Sequence, residues 1–507
     1  KKSKFTSAVL LALLGLSALH AETKIAATPT GKGTPKYVFV FVGDGMSYPQ
    51  IQSAAYYTGK DAAGIVDVVK KSEDPSDSPE MKALSFYNFP VAGSASTYDA
   101  TSFAPDSAST ATSIFTGYKT HSSSINVDIT KKIKYRTIAE QLRDQKKWKI
   151  GVISTVNLNH ATPAATYAHQ ASRKSNYPIG LELVESNFDY FAGGALMEPQ
   201  DKNKDKTSIY DLAKDAGYKV CFDQKSAGAL KNGDKALVIA ETLADSDSMS
   251  HDKHLKKGEW ALRNYVRQEV EVLDNKKGFF MMVEGGKVDW ACHANDARSS
   301  IADTLALSEA VEEAIAFYNK HPKETLILVT ADHETGGLTI GYAGTDYNLF
   351  FRTLDGQKIS YAKFDSDYVS AYKKNGVSFE TVMADVEKLF GLKLPGSNGL
   401  DESDKNGGLV LTDYELGRIK TAYEKTISGD KSRNQMEYDL YGTYEPLTIT
   451  ITHVLNAKSG LGWTSNSHTG LPVPVFALGA GQEEFKGFYD NTEIYKKMAK
   501  LTKVVKD

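Results

Sequence analysis

Ligand-type residues gather at the ends of several apolar runs. Tyr37–Val42 delivers Gly43-Asp44-Gly45, Phe279–Glu284 delivers Glu284 and then Asp289 and His293, and Leu326–Thr330 delivers Asp332-His333. His468 stands in GWTSNSHTG, just before Val473–Leu478. Carboxylates and imidazoles brought to one sheet edge suit zinc, with an oxygen-rich magnesium position beside it. If the chain is helical after Val288, Asp289 and His293 lie four apart and share a face, as two ligands of one metal should. An Asp after a strand is commonly a helix cap and a His is commonly a core residue, so it is the joint placement that points to metal.

A nucleophile is offered elsewhere. In PDSASTAT, Asp106-Ser107 follows Pro105, and only Ala, Ser and Thr follow it up to Ser113. Asp106 is predicted to cap a helix whose first turn holds Ser107, where free backbone amides and the helix dipole favour an anionic group. The small residues Ala108 to Thr112 permit close packing, and a metal beside Ser107 would favour its alkoxide form.

Those residues need a scaffold. Tyr37–Val42, Ile150–Ser154, Ala236–Ala240, Phe279–Glu284, Leu326–Thr330 and Val473–Leu478 are continuously apolar rather than alternating, which predicts strands buried on both faces. Leu307, Val311, Ile315 and Tyr318 form one helical stripe between two of them. Strand and helix in alternation predict an α/β fold with a mostly parallel central sheet flanked by helices on both faces, its ligands beyond the carboxyl ends of the strands.

The organisation expected along the chain is an export signal at 1–21, a linker at 22–35, a core at 36–341 and 449–507, and an insertion at 342–448 before the last ligand segment. The signal reading rests on Lys1-Lys2-Ser3-Lys4, the apolar run Ala8 to Leu19 and a cleavage position after Ala21. It implies a periplasmic or secreted protein with no membrane span in its mature part. The insertion is rich in Tyr, Lys, Asp and Gly, with a helix at Phe379–Phe390 and a turn-rich stretch from Leu394 to Gly408. Glu402, Asp404, Asn406, Gly407 and Asp413 echo a calcium loop only loosely, so an acidic surface turn is expected. With 60 basic and 63 acidic residues, the chain has no overall basic footprint for nucleic acid, and no P-loop or GxGxxG motif appears. Cys221 and Cys292 are the only cysteines, so disulfides are not the main source of stability. His251 and His254 form an HxxH expected on a solvated face, while His121 and His169 are expected to be structural.

PDSASTAT, MVEGGKVDWACH (Met282 to His293), TADHETGG (Thr330 to Gly337) and HTGLPVPVFALG (His468 to Gly479) resemble the alkaline phosphatase family, in the same chain order. FVGDG and HATPAATYAHQASR extend the resemblance. It implies a metal-dependent hydrolase of small phosphate monoesters, working through a phosphoserine on Ser107 and active at alkaline pH. By the same resemblance Asp289, His293 and His468 hold one zinc; Asp332, His333, Asp44 and the Ser107 oxygen hold a second; Asp44, Thr162 and Glu284 hold magnesium. Arg173 grips phosphate, its planar fork matching two phosphate oxygens. A homodimer is implied, with the insertion a clasp or an active-site rim. His160 and Trp290 stand where some members carry Asp and Lys, and an imidazole beside the magnesium position favours zinc or cobalt there. His160, Trp290 and Trp463 are candidate substrate contacts, Trp463 at the entrance.

Overall fold

Every residue of Tyr37–Gly43 (β1) is buried. Successive strand side chains point to opposite faces, so both faces of β1 are covered, as its unbroken apolar run requires. The structure is a computed structural model describing residues 23–26, 31–60, 79–201, 203–396 and 408–506. The expected signal at 1–21 and most of the calcium-loop echo, Glu402 to Gly407, lie outside the described residues.

Along the chain follow β2 (Val91–Ser96), β3 (Lys149–Asn157), β4 (Tyr190–Gly194), β5 (Lys219–Cys221), β6 (Ala236–Ile239), β7 (Phe279–Glu284) and β8 (Thr325–Ala331). Then come β9 (Glu334–Thr335), β10 (Thr339–Ile340), β11 (Leu461–Gly462), β12 (His468–Thr469), β13 (Val473–Gly479) and β14 (Gly487–Asp490). Ten of them build one sheet in the order β14-β2-β13-β8-β1-β7-β3-β4-β6-β5. Only β13 runs antiparallel to its neighbours in it, so the sheet is mostly parallel, as the alternating pattern predicts. The six strands expected from apolar runs are all present. The four unforeseen ones are short or rich in Gly, Ala and Ser, as in VAGSAS of β2 and YFAGG of β4.

The stripe Leu307, Val311, Ile315 and Tyr318 lies on the helix Ala297–Lys320 and is wholly buried. The insertion is helical, with Phe379–Phe390, Asp413–Ser428 and Gln435–Tyr441. The expected boundary at 448 falls inside the continuous helix Pro446–Ser459, whose Leu447, Ile451, Val454 and Leu455 belong to the main hydrophobic core. Cys221 and Cys292 are buried and unpaired. No helix among the described residues is long and apolar enough to cross a membrane.

His251 is not on a solvated face. It is buried, with Nδ1 against Asp303 Oδ2 at 2.5 Å, because the helix Ala297–Lys320 brings that carboxylate beneath it. His254 Nε2 accepts from the Ser360 amide at 2.9 Å, so both imidazoles serve packing between segments. His169 faces Glu140 at 3.3 Å and His121 Nδ1 meets the Ser122 carbonyl at 2.8 Å, in keeping with structural roles.

Under the sheet, Glu269 of the helix Leu262–Leu273 is fully buried, and neither carboxyl oxygen has a hydrogen-bond partner among the described residues. Gly151 of β3 makes room for it, since a β-carbon there would lie 1.5 Å from Glu269 Oε1. Burial pushes this carboxyl well above its ordinary value, so the folded chain holds the proton. The stability it contributes is complete below about pH 4 and is lost as pH rises, because only the unfolded chain then ionises freely. Glu269→Leu is therefore expected to raise Tm more at pH 9 than at pH 5, by about 2 °C or more, in paired thermal melts. An equal shift at both pH values would remove the proton from the explanation.

Candidate functional site

Strand register places the ligands. Val42 of β1 pairs with Glu284 of β7, and Gly43 pairs with Ala331 of β8. Asp44, Glu284 and Asp332 therefore leave three adjacent strands at one level. Ser154 of β3 pairs with Glu284, and its hydroxyl donates to Glu284 Oε2. The short helix Lys287–His293 carries Asp289 and His293 one turn apart. Finally β12 pairs with β9, His468 opposite Thr335, which folds the last imidazole back over Asp332-His333.

The result is three clusters of potential metal ligands. In the first, His293 Nε2 lies 3.3 Å from Asp289 Oδ2 and His468 Nε2 lies 3.5 Å from Asp289 Oδ1. The two Nε2 atoms are 3.1 Å apart. His293 Nδ1 meets the Asn466 carbonyl at 2.7 Å and His468 Nδ1 meets the Pro105 carbonyl at 2.6 Å. A carbonyl only accepts, so both Nδ1 atoms carry hydrogen, which leaves Nε2 as the atom each ring can offer to a metal.

In the second cluster, His333 Nε2 lies 3.4 Å from Asp44 Oδ1, 3.3 Å from Asp332 Oδ2 and 3.2 Å from Ser107 Oγ. Asp44, His160 and Glu284 form the third. Thr162 Oγ1 stands 3.5 Å from Asp332 Oδ2 of the second cluster. Gly45 has φ +69°, and a β-carbon there would come within 3.0 Å of the Asp289 side chain, so the turn after β1 can approach the ligands only as glycine.

Charge is concentrated here. Burial, then the neighbouring carboxylates, raise Asp44 well above its ordinary range. Burial chiefly lifts Glu284 to about 8 and Asp332 to about 7. Neither Asp44 oxygen nor Glu284 Oε1 has a hydrogen-bond partner among the described residues. Buried acceptors left this way demand cations. The donor sets answer that demand: two imidazoles and a carboxylate, one imidazole and two carboxylates, and a carboxylate-rich pocket with one imidazole.

Ser107 opens the helix Ser107–Thr116, and Asp106 caps it as expected, accepting from Ser109 N at 3.1 Å. The same Asp106 carboxylate holds Arg173 at 3.0 Å, and the other terminal nitrogen of Arg173 lies 3.0 Å from His160 Nε2. Burial, then the Arg173 charge, lower His160 to about 3, so it is neutral. Trp290 sits edge-on to His160, ring centroids 6.2 Å apart. A cavity of about 780 Å³ opens over these groups, with Ser107, His160, Arg173, Asp289, Trp290, His293 and His468 in its lining. Trp463 is not in that lining; it packs against Gly336 and the core.

The sequence profile of the alkaline phosphatase family matches residues 35–187 and 189–504. The chain belongs to that family. It is accordingly a phosphomonoester hydrolase, and a metal-dependent one. Alkaline phosphatase 3 of Bacillus subtilis (strain 168) is 30% identical over 477 residues, covering 92% of this chain and 88% of its own. Alkaline phosphatase 4 of the same organism is 28% identical over 484 residues, covering 94% and 90%. The crystal structure of a cold-active alkaline phosphatase from a psychrophilic Shewanella species superposes with a TM-score of 0.71 at 26% identity, covering 92% of this chain and 99% of that one.

Several participants escaped the sequence. Thr335 donates to Asp289 Oδ1 at 2.5 Å, and Lys287 is buried against Asp245 at 2.7 Å, with its ammonium 4.6 Å from the Trp290 ring centre. Lys287 lies within MVEGGKVDWACH, but nothing in that stretch distinguishes it from a solvated lysine until Asp245 is brought to it. Asn295, with φ 48°, gives nothing away in sequence yet joins three segments. Its amide donates to the Cys292 carbonyl at 2.9 Å and the Ser465 carbonyl at 3.0 Å, and its side-chain oxygen accepts from His453 Nε2 at 2.7 Å. It thus ties the His293 helix to the His468 loop and to the helix Pro446–Ser459. Asn295→Ala is expected to weaken divalent-metal binding about 10- to 100-fold in chelator competition, the range for groups that orient ligands. Unchanged affinity would make Asn295 a packing residue only.

Proposed function

We propose that the chain hydrolyses phosphate monoesters in two displacements, through a phosphoserine on Ser107. The observation that carries this reading is Ser107 Oγ, buried at a helix N-terminus and 3.2 Å from His333 Nε2, in the same cavity as Arg173. Arg173, oriented by Asp106 and His160, offers its fork to two phosphate oxygens. Helix amides at Ser107 add further donors for the transferring group. Ser107 Oγ bonds to phosphorus as the ester oxygen departs and takes up a proton; water entering from the vacated side then releases phosphate and restores the hydroxyl.

Asp289, His293 and His468 would hold one zinc, Asp44, Asp332 and His333 a second, and Asp44, Glu284 and Thr162 a magnesium, with His160 pulling that last position toward zinc or cobalt. When bound, these ions supply the positive charge that lowers the proton affinity of Ser107 and stabilises the leaving oxygen. His160 and Trp290 contact substrate in this reading.

Acid quenching of metal-loaded protein during turnover, followed by peptide mass spectrometry, is expected to find phosphate on Ser107. Phosphate on no residue, with turnover intact and product release slow, would point to direct attack by water. The same reading takes the protein as exported, to the periplasm or beyond, and as a homodimer with 342–448 forming a clasp or rim on the core at 36–341 and 449–507. Deleting the insertion and measuring molecular mass tests the clasp; a folded dimer of the shortened chain would rule it out.

A further inference from the structure

The cavity is much larger than a phosphoryl group needs, and the insertion supplies its upper wall. At about 780 Å³ it falls in the range that encloses a drug-sized molecule. Tyr361 and Tyr444 reach it from the insertion, their rings crossing at 77° with centroids 6.3 Å apart. Tyr361 is fixed to the metal-ligand side: its amide donates to Asp296 Oδ2 at 2.9 Å, and Asp296 is the cap residue of the helix that follows His293. Asp245 and Ser246 also line the cavity, in a turn where Ser246 has φ 54° and Asp247 φ 58°. Lys287 holds Asp245 at 2.7 Å, and Asn157 Nδ2 donates to the Ser246 carbonyl at 2.9 Å.

The chemistry of this upper wall is uneven. It presents flat aromatic faces and acceptor oxygens, including Asp365, whose Oδ1 accepts from Thr448. Among the described residues lining the cavity, Arg173 is the only Lys or Arg, and it sits at the phosphate end. A leaving group carrying a second negative charge would face Asp365 at this wall, whereas Asp245 is already paired with Lys287. A flat, uncharged leaving group with hydroxyl or amino donors would find both stacking faces and acceptors.

We propose, building on the phosphoserine reading, that Tyr361, Tyr444 and Asp365 form a leaving-group subsite that selects nucleoside 5′-monophosphates over small alkyl phosphates and over esters bearing a second anion. The ring wall binds the base, and Asp365 accepts from its amino group or from the sugar hydroxyls.

The test compares kcat/KM for adenosine 5′-monophosphate, glycerol 2-phosphate and glycerate 2-phosphate, using metal-loaded full-length protein. The native chain is expected to favour the nucleotide over glycerol 2-phosphate about tenfold, mostly through KM. Tyr444→Ala should collapse that ratio toward one. Asp365→Asn should narrow the gap between glycerol 2-phosphate and glycerate 2-phosphate, which differ by one carboxylate. If a variant does not fold, adenosine inhibition of glycerol 2-phosphate hydrolysis by the native chain takes its place: competitive inhibition supports the subsite, and its absence overturns it. A native ratio near one, or a ratio unmoved in folded Tyr444→Ala, would overturn the subsite and leave the phosphoserine reading standing. Failure of the native chain on all three esters would instead strike the phosphoserine reading, and calorimetric binding of adenosine would then decide the subsite alone.

Discussion

Ser107→Ala is expected to lower kcat for p-nitrophenyl phosphate by at least about a thousandfold while the protein stays folded and still takes up divalent metal. The size follows from what is lost. Ser107 is the buried hydroxyl that lies 3.2 Å from a candidate ligand imidazole in the cavity shared with Arg173. On the phosphoserine reading, its loss leaves water to attack the ester directly, with no oxygen held in place against phosphorus. The fold should tolerate the change, because the cap comes from Asp106 and alanine suits a first helical turn. Metal uptake should persist because Asp44, Asp332 and His333 remain. A variant with turnover within tenfold of the native chain would remove Ser107 as nucleophile. One that lost its metals as well would show that Ser107 acts chiefly as a ligand.

The strand ends were legible because a parallel strand buried on both faces must be continuously apolar, and its first polar residue then marks where it leaves the sheet. Asp44, Glu284 and Asp332 were found this way, and register brings them together. Asp289 and His293 followed from helical spacing, and His468 needed only the β9–β12 ribbon to reach them. What failed had no such periodicity. β2 and β4 are built from small residues whose role is close approach: a β-carbon on Gly93 would meet the Phe485 carbonyl oxygen at 2.1 Å and one on Gly193 the Ser154 carbonyl oxygen at 2.2 Å. His251 looked solvated because its sequence neighbours are polar, whereas its burial is decided by Asp303, on a distant helix. Trp463 was placed by its distance along the chain from His468, yet that loop turns its ring onto Gly336. The upper wall of the cavity was invisible for the same reason, since Tyr361 and Tyr444 are ordinary tyrosines until the insertion folds over the sheet edge.

Asp44→Asn is expected to act in opposite directions on the metal-free and metal-loaded protein. Asp44 is fully buried, belongs to two of the three clusters, and has no hydrogen-bond donor on either oxygen among the described residues. Its neighbours Asp332 and Glu284 are carboxyls too, lifted chiefly by burial to about 7 and about 8. In metal-free protein such groups keep protons that the unfolded chain releases near pH 4. Their contribution to stability is therefore complete below about pH 4 and drains away as pH rises through 7 and 8. Removing one carboxylate should relieve that loss, so chelator-treated Asp44→Asn should melt above the chelator-treated native chain at pH 9, with little difference at pH 5. Metal loading reverses the order, because divalent ions turn the same crowd of carboxylates into an attraction that the amide cannot supply. The loaded variant should melt below the loaded native chain and lose kcat/KM by about a hundredfold or more. Four melts and one kinetic assay check both signs. Equal melting of the two metal-free proteins at pH 9 would mean that the carboxylates share their protons without strain; full metal content and activity in the variant would remove Asp44 from the metal-binding set.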